Sequence, residues 1–334
     1  MKLNKVLFMT RRLYTDLSDH SNMNLCFDNS KDLNEYYIVF EEKDLNTRGG
    51  NKPFQFDENG VPKIHSYIDV EKAGYYYYPI TIGQYALAIY HTYLKSNDPE
   101  KKNHFLRIAD WFVDSAIIDR KIGAYWLTNV NKPEFNMFEP WKSAFSQSRA
   151  LSVLLRAWQL TKNTKYLELA KKALLPFGYN TSEGGVMVNT NDNDVVYEEY
   201  VASKPTRILD GAIFSLFGLY DAVRVFRNVD ESSFKKASQL FDIGIDGLKH
   251  WLPKYDMGFW VFYNRCEIEG YPTNDPCTIG YLRLVSAQLT VIHNITGNEI
   301  FENYVKLFNS YRKPYNILRM YIEKYKALKK LNRL

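Results

Sequence analysis

The sequence predicts a mainly α-helical fold: an incomplete (α/α) barrel, or toroid, of about four helix hairpins behind a short N-terminal β-hairpin region. Three observations carry this expectation. From Thr81 onward, apolar residues recur at helical spacing in long segments. These segments come in pairs, and the pairs are separated by longer connections. Asn-containing turns fall at positions 97, 163, 228 and 294, a repeat of roughly 65 residues, which is the signature of a stacked helical array.

In chain order, residues 1 to 75 lack helical periodicity and read as a β-rich appendage, with residues 76 to 334 forming the toroid domain. A strand is expected at 36–41 and a turn at 47–53. A β-hairpin is expected around Asn59-Gly60, where alternating residues flank a turn dipeptide. The four helix pairs are expected at 82–96 with 101–118, 143–160 with 166–174, 208–226 with 234–251, and 281–293 with 300–311. The long connections between pairs, about 124–141, 184–207 and 259–280, then gather at one rim, where a cleft would lie.

Composition narrows the function. With 334 residues and 46% hydrophobic content the chain can bury a large core. Its net charge of +5 is not gathered into Lys/Arg blocks that would track a phosphate backbone, so no nucleic-acid partner is expected. No stretch reaches the roughly 20 apolar residues of a membrane span, and the opening residues lack a signal-peptide core, so a cytoplasmic protein is expected. Three cysteines at unrelated spacings suggest neither a disulfide framework nor a zinc site. His91, His104, His250 and His293 form no ligand-spaced pair, so no metal is expected, and without a glycine-rich phosphate loop no cofactor is expected. A second copy of the chain is an allowed partner, since oligomeric state leaves no mark here. The 26 tyrosines suit a carbohydrate cleft, because a phenol can stack on a sugar face and hydrogen-bond its hydroxyls.

The densest chemistry lies in Tyr197-Glu198-Glu199-Tyr200, followed by the Lys204-Pro205-Thr206-Arg207 loop that leads into a helix. Acids, phenols and cations meet there within about ten residues, although the same run also reads as a strand with alternate residues facing core and solvent. In the third connection Tyr263 precedes Arg265 by two residues, and Tyr281 opens the last inner helix. Tyr200, Tyr263 and Tyr281 are candidates to converge beside Glu199; the alternative is that they merely pack loops on helices.

These residues carry a resemblance to the D-glucuronyl C5-epimerases, in particular their C-terminal catalytic domain, over about residues 54 to 312. Phe56-Asp57-Glu58-Asn59-Gly60-Val61-Pro62 and Tyr78-Pro79-Ile80-Thr81-Ile82-Gly83-Gln84-Tyr85-Ala86-Leu87 resemble the family's hairpin and entry helix. Trp141-Lys142-Ser143-Ala144-Phe145-Ser146-Gln147-Ser148 resembles a second motif. The most specific match joins Tyr197-Glu198-Glu199-Tyr200 to Leu209-Asp210-Gly211 and to Leu219-Tyr220-Asp221; Leu252-Pro253-Lys254-Tyr255-Asp256, Tyr263 and Tyr281 complete it. The chain departs from the pattern at Val201, Asp210 and Ser148, where the family has proline, asparagine and glycine, and around Arg265 and Tyr281.

The resemblance implies catalytic roles for Tyr200, Tyr263, Tyr281 and Glu199. It also implies substrate contacts among Arg265, Arg207, Lys142, Gln147, Gln84 and Tyr78. The implied activity is inversion of C5 in D-glucuronate residues of a heparosan-like acidic polysaccharide, giving L-iduronate without a cofactor. Such a reaction needs a cation at the sugar carboxylate, an acid and a base on opposite ring faces, and tyrosines whose pKa a nearby cation lowers. Arg265 is the expected carboxylate holder, with a structural ion pair to Glu267 or Glu269 as the competing role. A uronate lyase and a non-catalytic glycan-binding protein are the alternatives.

Overall fold

The computed structural model describes residues 10–11, 13–14, 17, 23–47, 53–66, 74–189 and 194–333. Most of the turn expected at 47–53 lies outside them. The chain is mainly helical. Helix α1 (Glu42–Thr47) precedes the four pairs: α2 (Pro79–Ser96) with α3 (Pro99–Asp114), α4 (Ala144–Thr161) with α5 (Thr164–Leu174), α6 (Leu209–Phe226) with α7 (Glu231–Trp251), and α8 (Ile279–Thr296) with α9 (Glu299–Ser310). A further helix, α10 (Pro314–Lys330), which the periodicity had not separated, closes the chain.

Local chemistry explains the boundaries. Proline stands at the first helical turn of α2, α3 and α10, where its missing N–H costs nothing. Asp98, Ser143, Asn163, Asp230, Thr278 and Asn298 each accept a hydrogen bond from a backbone N–H of the following helix. At the other ends Asn97, Lys162 and Gly297 take left-handed backbone conformations, with φ of 53°, 56° and 65°. The turn expected at 294–298 is made at Gly297, because α8 runs on to Thr296. The second helix also ends before 118: residues Ile117–Asp119 are a strand (β6) paired with Gly123–Tyr125 (β7).

The pairs build the expected toroid. Helices α2, α4, α6 and α8 pack side by side as an inner layer, and α3, α5, α7 and α9 each cover one of them from outside. The inner helices approach closely where Gly218 faces Ser148, since a β-carbon there would come within 2.6 Å of the Ser148 Cα. At that contact the Ser148 hydroxyl donates to the Phe214 carbonyl at 2.6 Å.

The N-terminal region is not a separate appendage, and the boundary at 75/76 does not divide two cores. Strands β1 (Asn24–Leu25) and β2 (Ile38–Val39) pair with each other; β2 is shorter than the expected strand at 36–41. Leu33, Tyr36, Tyr37 and Ile38 join the same buried apolar core as the helices. This segment closes the end of the barrel where the inner helices finish. Tyr90 and Gln159 hold the Leu33 carbonyl at 3.0 and 3.1 Å, Arg156 holds the Asn34 carbonyl at 3.2 Å, and Arg224 holds those of Ser30 and Asp32, both at 2.8 Å. Arg156 and Asp221, both fully buried, pair at 2.7 Å, and the Tyr37 hydroxyl donates to the same carboxylate at 2.7 Å. Only the second half of the region forms the expected hairpin: β3 (Gln55–Phe56) and β4 (Pro62–His65) turn at Gly60, φ 77°, and β5 (Tyr75–Tyr77) extends the sheet into α2.

Candidate active site at the open rim

With one end of the barrel filled, the opposite rim is the place for a cleft. All four inner helices begin there, so the positive ends of their dipoles converge on it, an arrangement that favours an anionic ligand. The connections lay down a second apolar cluster at this rim, including Tyr78, Phe135, Trp141, Tyr200 and Tyr271. Phe135 is stacked between Tyr200, 5.0 Å away, and Tyr271, 5.5 Å away, while Trp141 meets Tyr200 edge-on at 5.0 Å. Tyr200 is thereby held in one orientation.

The two adjacent glutamates have different roles, set by different partners. Glu198 is a latch. Its carboxylate accepts the Thr206 hydroxyl at 2.6 Å and the backbone N–H groups of Thr206 and Arg207 at 3.0 and 3.1 Å, tying the loop ahead of α6. Glu199 is buried against Gly211 at the start of α6. The Tyr200 hydroxyl hydrogen-bonds its carboxylate, while Oε2 accepts no hydrogen bond from a described residue. Burial, opposed by the Tyr200 bond and by Lys132, brings its pKa up to about 7.

Asp210, in the first turn of α6, is also buried, and burial with the neighbouring Glu199 charge pushes its carboxyl well above the usual range. Tyr263 stands edge-on to Tyr281, with ring centroids 5.3 Å apart. Burial, together with Tyr281, Glu199 and Asp210, raises the Tyr263 pKa well above its ordinary value. The expected lowering by a cation is not found at this residue, because burial raises its pKa and the Glu199 and Asp210 charges act in the same direction. Tyr281 is the exposed member of the pair.

The expected substrate contacts divide. Arg207 is enclosed: its guanidinium pairs with Glu267 and lies 4.3 Å from the Trp251 ring, on a backbone strained to φ 46°. Its placement suits a loop anchor. Gln147 is likewise buried, donating to the carbonyls of Ala124 and Ala173 at 2.9 and 3.0 Å. Gln84 accepts from Arg149, a buried guanidinium surrounded by Tyr36, Phe145 and Phe214. Lys142 donates to the Gly184 carbonyl at 2.6 Å and sits over the Tyr125 ring. Tyr78 packs edge-on to Trp141 within the rim cluster. Arg265 lies over the Phe262 ring at 4.4 Å, and since Glu267 pairs with Arg207 instead, the competing Glu267 ion pair is not what the fold uses.

The cation beside Glu199 is one that sequence reasoning missed. Lys132 is buried, its ammonium lies 4.8 Å from the Tyr200 ring centroid, and its charge opposes the rise in the Glu199 pKa. Its signal was its place as the sole cation of the 124–141 connection, held extended by the following Pro133. Far from the rim, His293, Glu299 and Glu302 bring potential ligand atoms within 4.8 Å of one another, with Glu302 also paired to Lys306 at 2.9 Å.

A helical toroid with a buried carboxyl and phenols gathered at its open rim is thus the class of architecture the chain defines. The chain belongs to the D-glucuronyl C5-epimerase C-terminus family, whose family model matches residues 120–310. It is 35% identical over 176 residues to D-glucuronyl C5-epimerase of Caenorhabditis elegans, a match that covers 49% of this chain and 28% of the nematode enzyme. It is also 25% identical over 272 residues to an uncharacterised protein of Methanocaldococcus jannaschii, covering 76% of this chain and 84% of that one. Among solved structures, a GH76 α-mannanase of Bacteroides thetaiotaomicron superposes with a TM-score of 0.43 at 12% identity, over 74% of this chain and 61% of the mannanase.

Proposed function

We propose that this protein inverts C5 of D-glucuronate residues within an acidic, heparosan-like polysaccharide, giving L-iduronate while leaving the glycosidic bond intact. The observation that carries this reading is the Glu199–Tyr200 pair: a buried carboxyl with a pKa of about 7 accepting a hydrogen bond from a phenol fixed between aromatic rings. A base for a weakly acidic C–H works best when its pKa lies near the working pH. Family membership supports the same chemistry.

The groups take separate roles. The C5 proton passes to the Tyr200 oxygen as the Tyr200 proton moves to Glu199, which leaves a carbanion conjugated with the sugar carboxylate. Lys132 and Arg265 supply positive charge where that negative charge develops, aided by the converging helix N-termini. Tyr263, whose raised pKa keeps it protonated, donates to the opposite ring face. The adjoining Tyr281, open to solvent, provides the route by which its proton is replaced.

Incubation with heparosan, followed by NMR of the product, tests the reading. Iduronate is the expected outcome. Unsaturated uronate would identify a lyase, and binding without any change at C5 would identify a glycan-binding protein.

A further inference from the structure

Helix α10 lies outside the four pairs, and its two sides differ sharply. The inward side is built in: Ile317, Met320 and Ala327 are buried, Lys324 donates to Asp275 at 2.6 Å, and Lys330 reaches the Tyr271 carbonyl at 3.1 Å. The helix therefore braces the third rim connection beside the cleft. The outward side carries Tyr315, Leu318, Ile322 and Tyr325, which are 74, 57, 51 and 46% exposed. At 100° per residue these four fall within one narrow stripe opposite the packed side.

Charge is concentrated on the same segment. Residues 312–333 contain eight Lys and Arg and one Glu, a net +7, although the whole chain is only +5, so the remaining residues together are slightly acidic. Arg312, Lys313, Arg319, Lys326, Lys329 and Lys330 are exposed, whereas the segment's one acid, Glu323, is half-buried and paired with Lys326 at 2.7 Å. An exposed apolar stripe flanked by cations is what an interfacial helix presents to an anionic lipid surface: the stripe enters the headgroup boundary and the cations meet the lipid charges.

We propose that α10 docks this protein on the surface of an anionic lipid bilayer. The stripe is on the convex side of a helix, and its centre, Leu318 and Ile322, has no polar side-chain atom. A polysaccharide chain, which needs a groove and hydrogen-bond partners, is matched less well. Charge complementarity distinguishes a bilayer from a second copy, because pairing two such helices would place cation against cation. The proposal does not depend on the chemistry assigned to the rim.

The test is co-sedimentation of the full-length protein with vesicles of phosphatidylcholine, with and without phosphatidylserine, alongside its sedimentation velocity in solution. Two variants are compared: Leu318→Glu/Ile322→Glu, and Lys326→Glu/Lys329→Glu, which alters only exposed side chains. The expected result is binding to phosphatidylserine vesicles alone, reversed by high salt and weakened about tenfold or more in both variants at unchanged melting temperature. No binding to the phosphatidylserine vesicles would overturn the proposal. So would a dimer dispersed by the first variant without vesicle binding, or weakened heparosan binding in both variants without vesicle binding.

Discussion

The Glu199 carboxyl rests against the α-carbon of Gly211, with no room for a side chain between them: a β-carbon there would lie 2.6 Å from the Glu199 Cβ and collide with Oε2. Glycine at the first turn of α6 thus fixes where the carboxyl sits relative to Tyr200. Gly211→Ala, a change that favours the helix itself, should push the carboxyl out of line and lower turnover on the order of 10²-fold. Circular dichroism should stay helical, and steady-state rates should separate the loss from any change in substrate binding.

Asp210 stands where the family resemblance has asparagine. Burial and the neighbouring Glu199 charge favour its protonated form, which has the shape and donor of an asparagine. Asp210→Asn should therefore turn over near the wild-type rate. The sign of its effect on stability follows from linkage. An acid whose pKa rises on folding holds more protons folded than unfolded, so its contribution falls as pH climbs above the unfolded value of 3.8. The melting temperature of Asp210→Asn should match wild type near pH 3 and exceed it as the pH rises above 3.8.

Lys132 and Arg265 are expected to act on charge in the reacting sugar. Lys132→Met should lower turnover about 10²-fold, and by withdrawing a cation from Glu199 it should move the alkaline-going rise of the pH profile to higher pH. Arg265→Lys should reduce turnover more than it weakens polymer binding, because lysine lacks the two-pronged grip of a guanidinium. Its melting temperature should be unchanged, since Glu267 is engaged by Arg207.

At the closed end, Asp221 is shared by Arg156 and Tyr37 without solvent. Asp221→Ala leaves a buried guanidinium uncompensated and should cost about 3–5 kcal/mol in chemical denaturation. It should also expose the 23–40 segment to protease before the helices are cut.

The helix pairs and the rim were legible in the sequence because both rest on local signals: helical apolar spacing, capping residues such as Asp98 and Thr278, and long connections between pairs. The segment that closes the end of the barrel was not legible. Tyr36 and Tyr37 are fixed by Phe217, Asp221 and Arg224, more than 180 residues away, and no local pattern marks such contacts. The roles of Arg207 and Gln147 were hidden for a related reason. A buried anchor and a substrate contact use the same residue types, and only burial and partners distinguish them. Lys132 was missed because a cation in a loop carries no periodicity, whereas the phenols stood out by their company: Tyr200 beside two glutamates, Tyr263 two residues before Arg265, and Tyr281 at a helix start.

In the proposed reaction Glu199 with Tyr200 serves one ring face and Tyr263 the other. The most direct test of this division is C5 hydrogen exchange on heparosan in deuterated water, read by NMR for wild type, Glu199→Gln and Tyr263→Phe. Wild type should yield iduronate carrying deuterium at C5. Glu199→Gln should yield neither exchange nor iduronate, while Tyr263→Phe, which keeps the base but lacks the acid, should place deuterium in glucuronate and form little iduronate. Iduronate at the wild-type rate from either variant, or exchange retained in Glu199→Gln and lost in Tyr263→Phe, would contradict it.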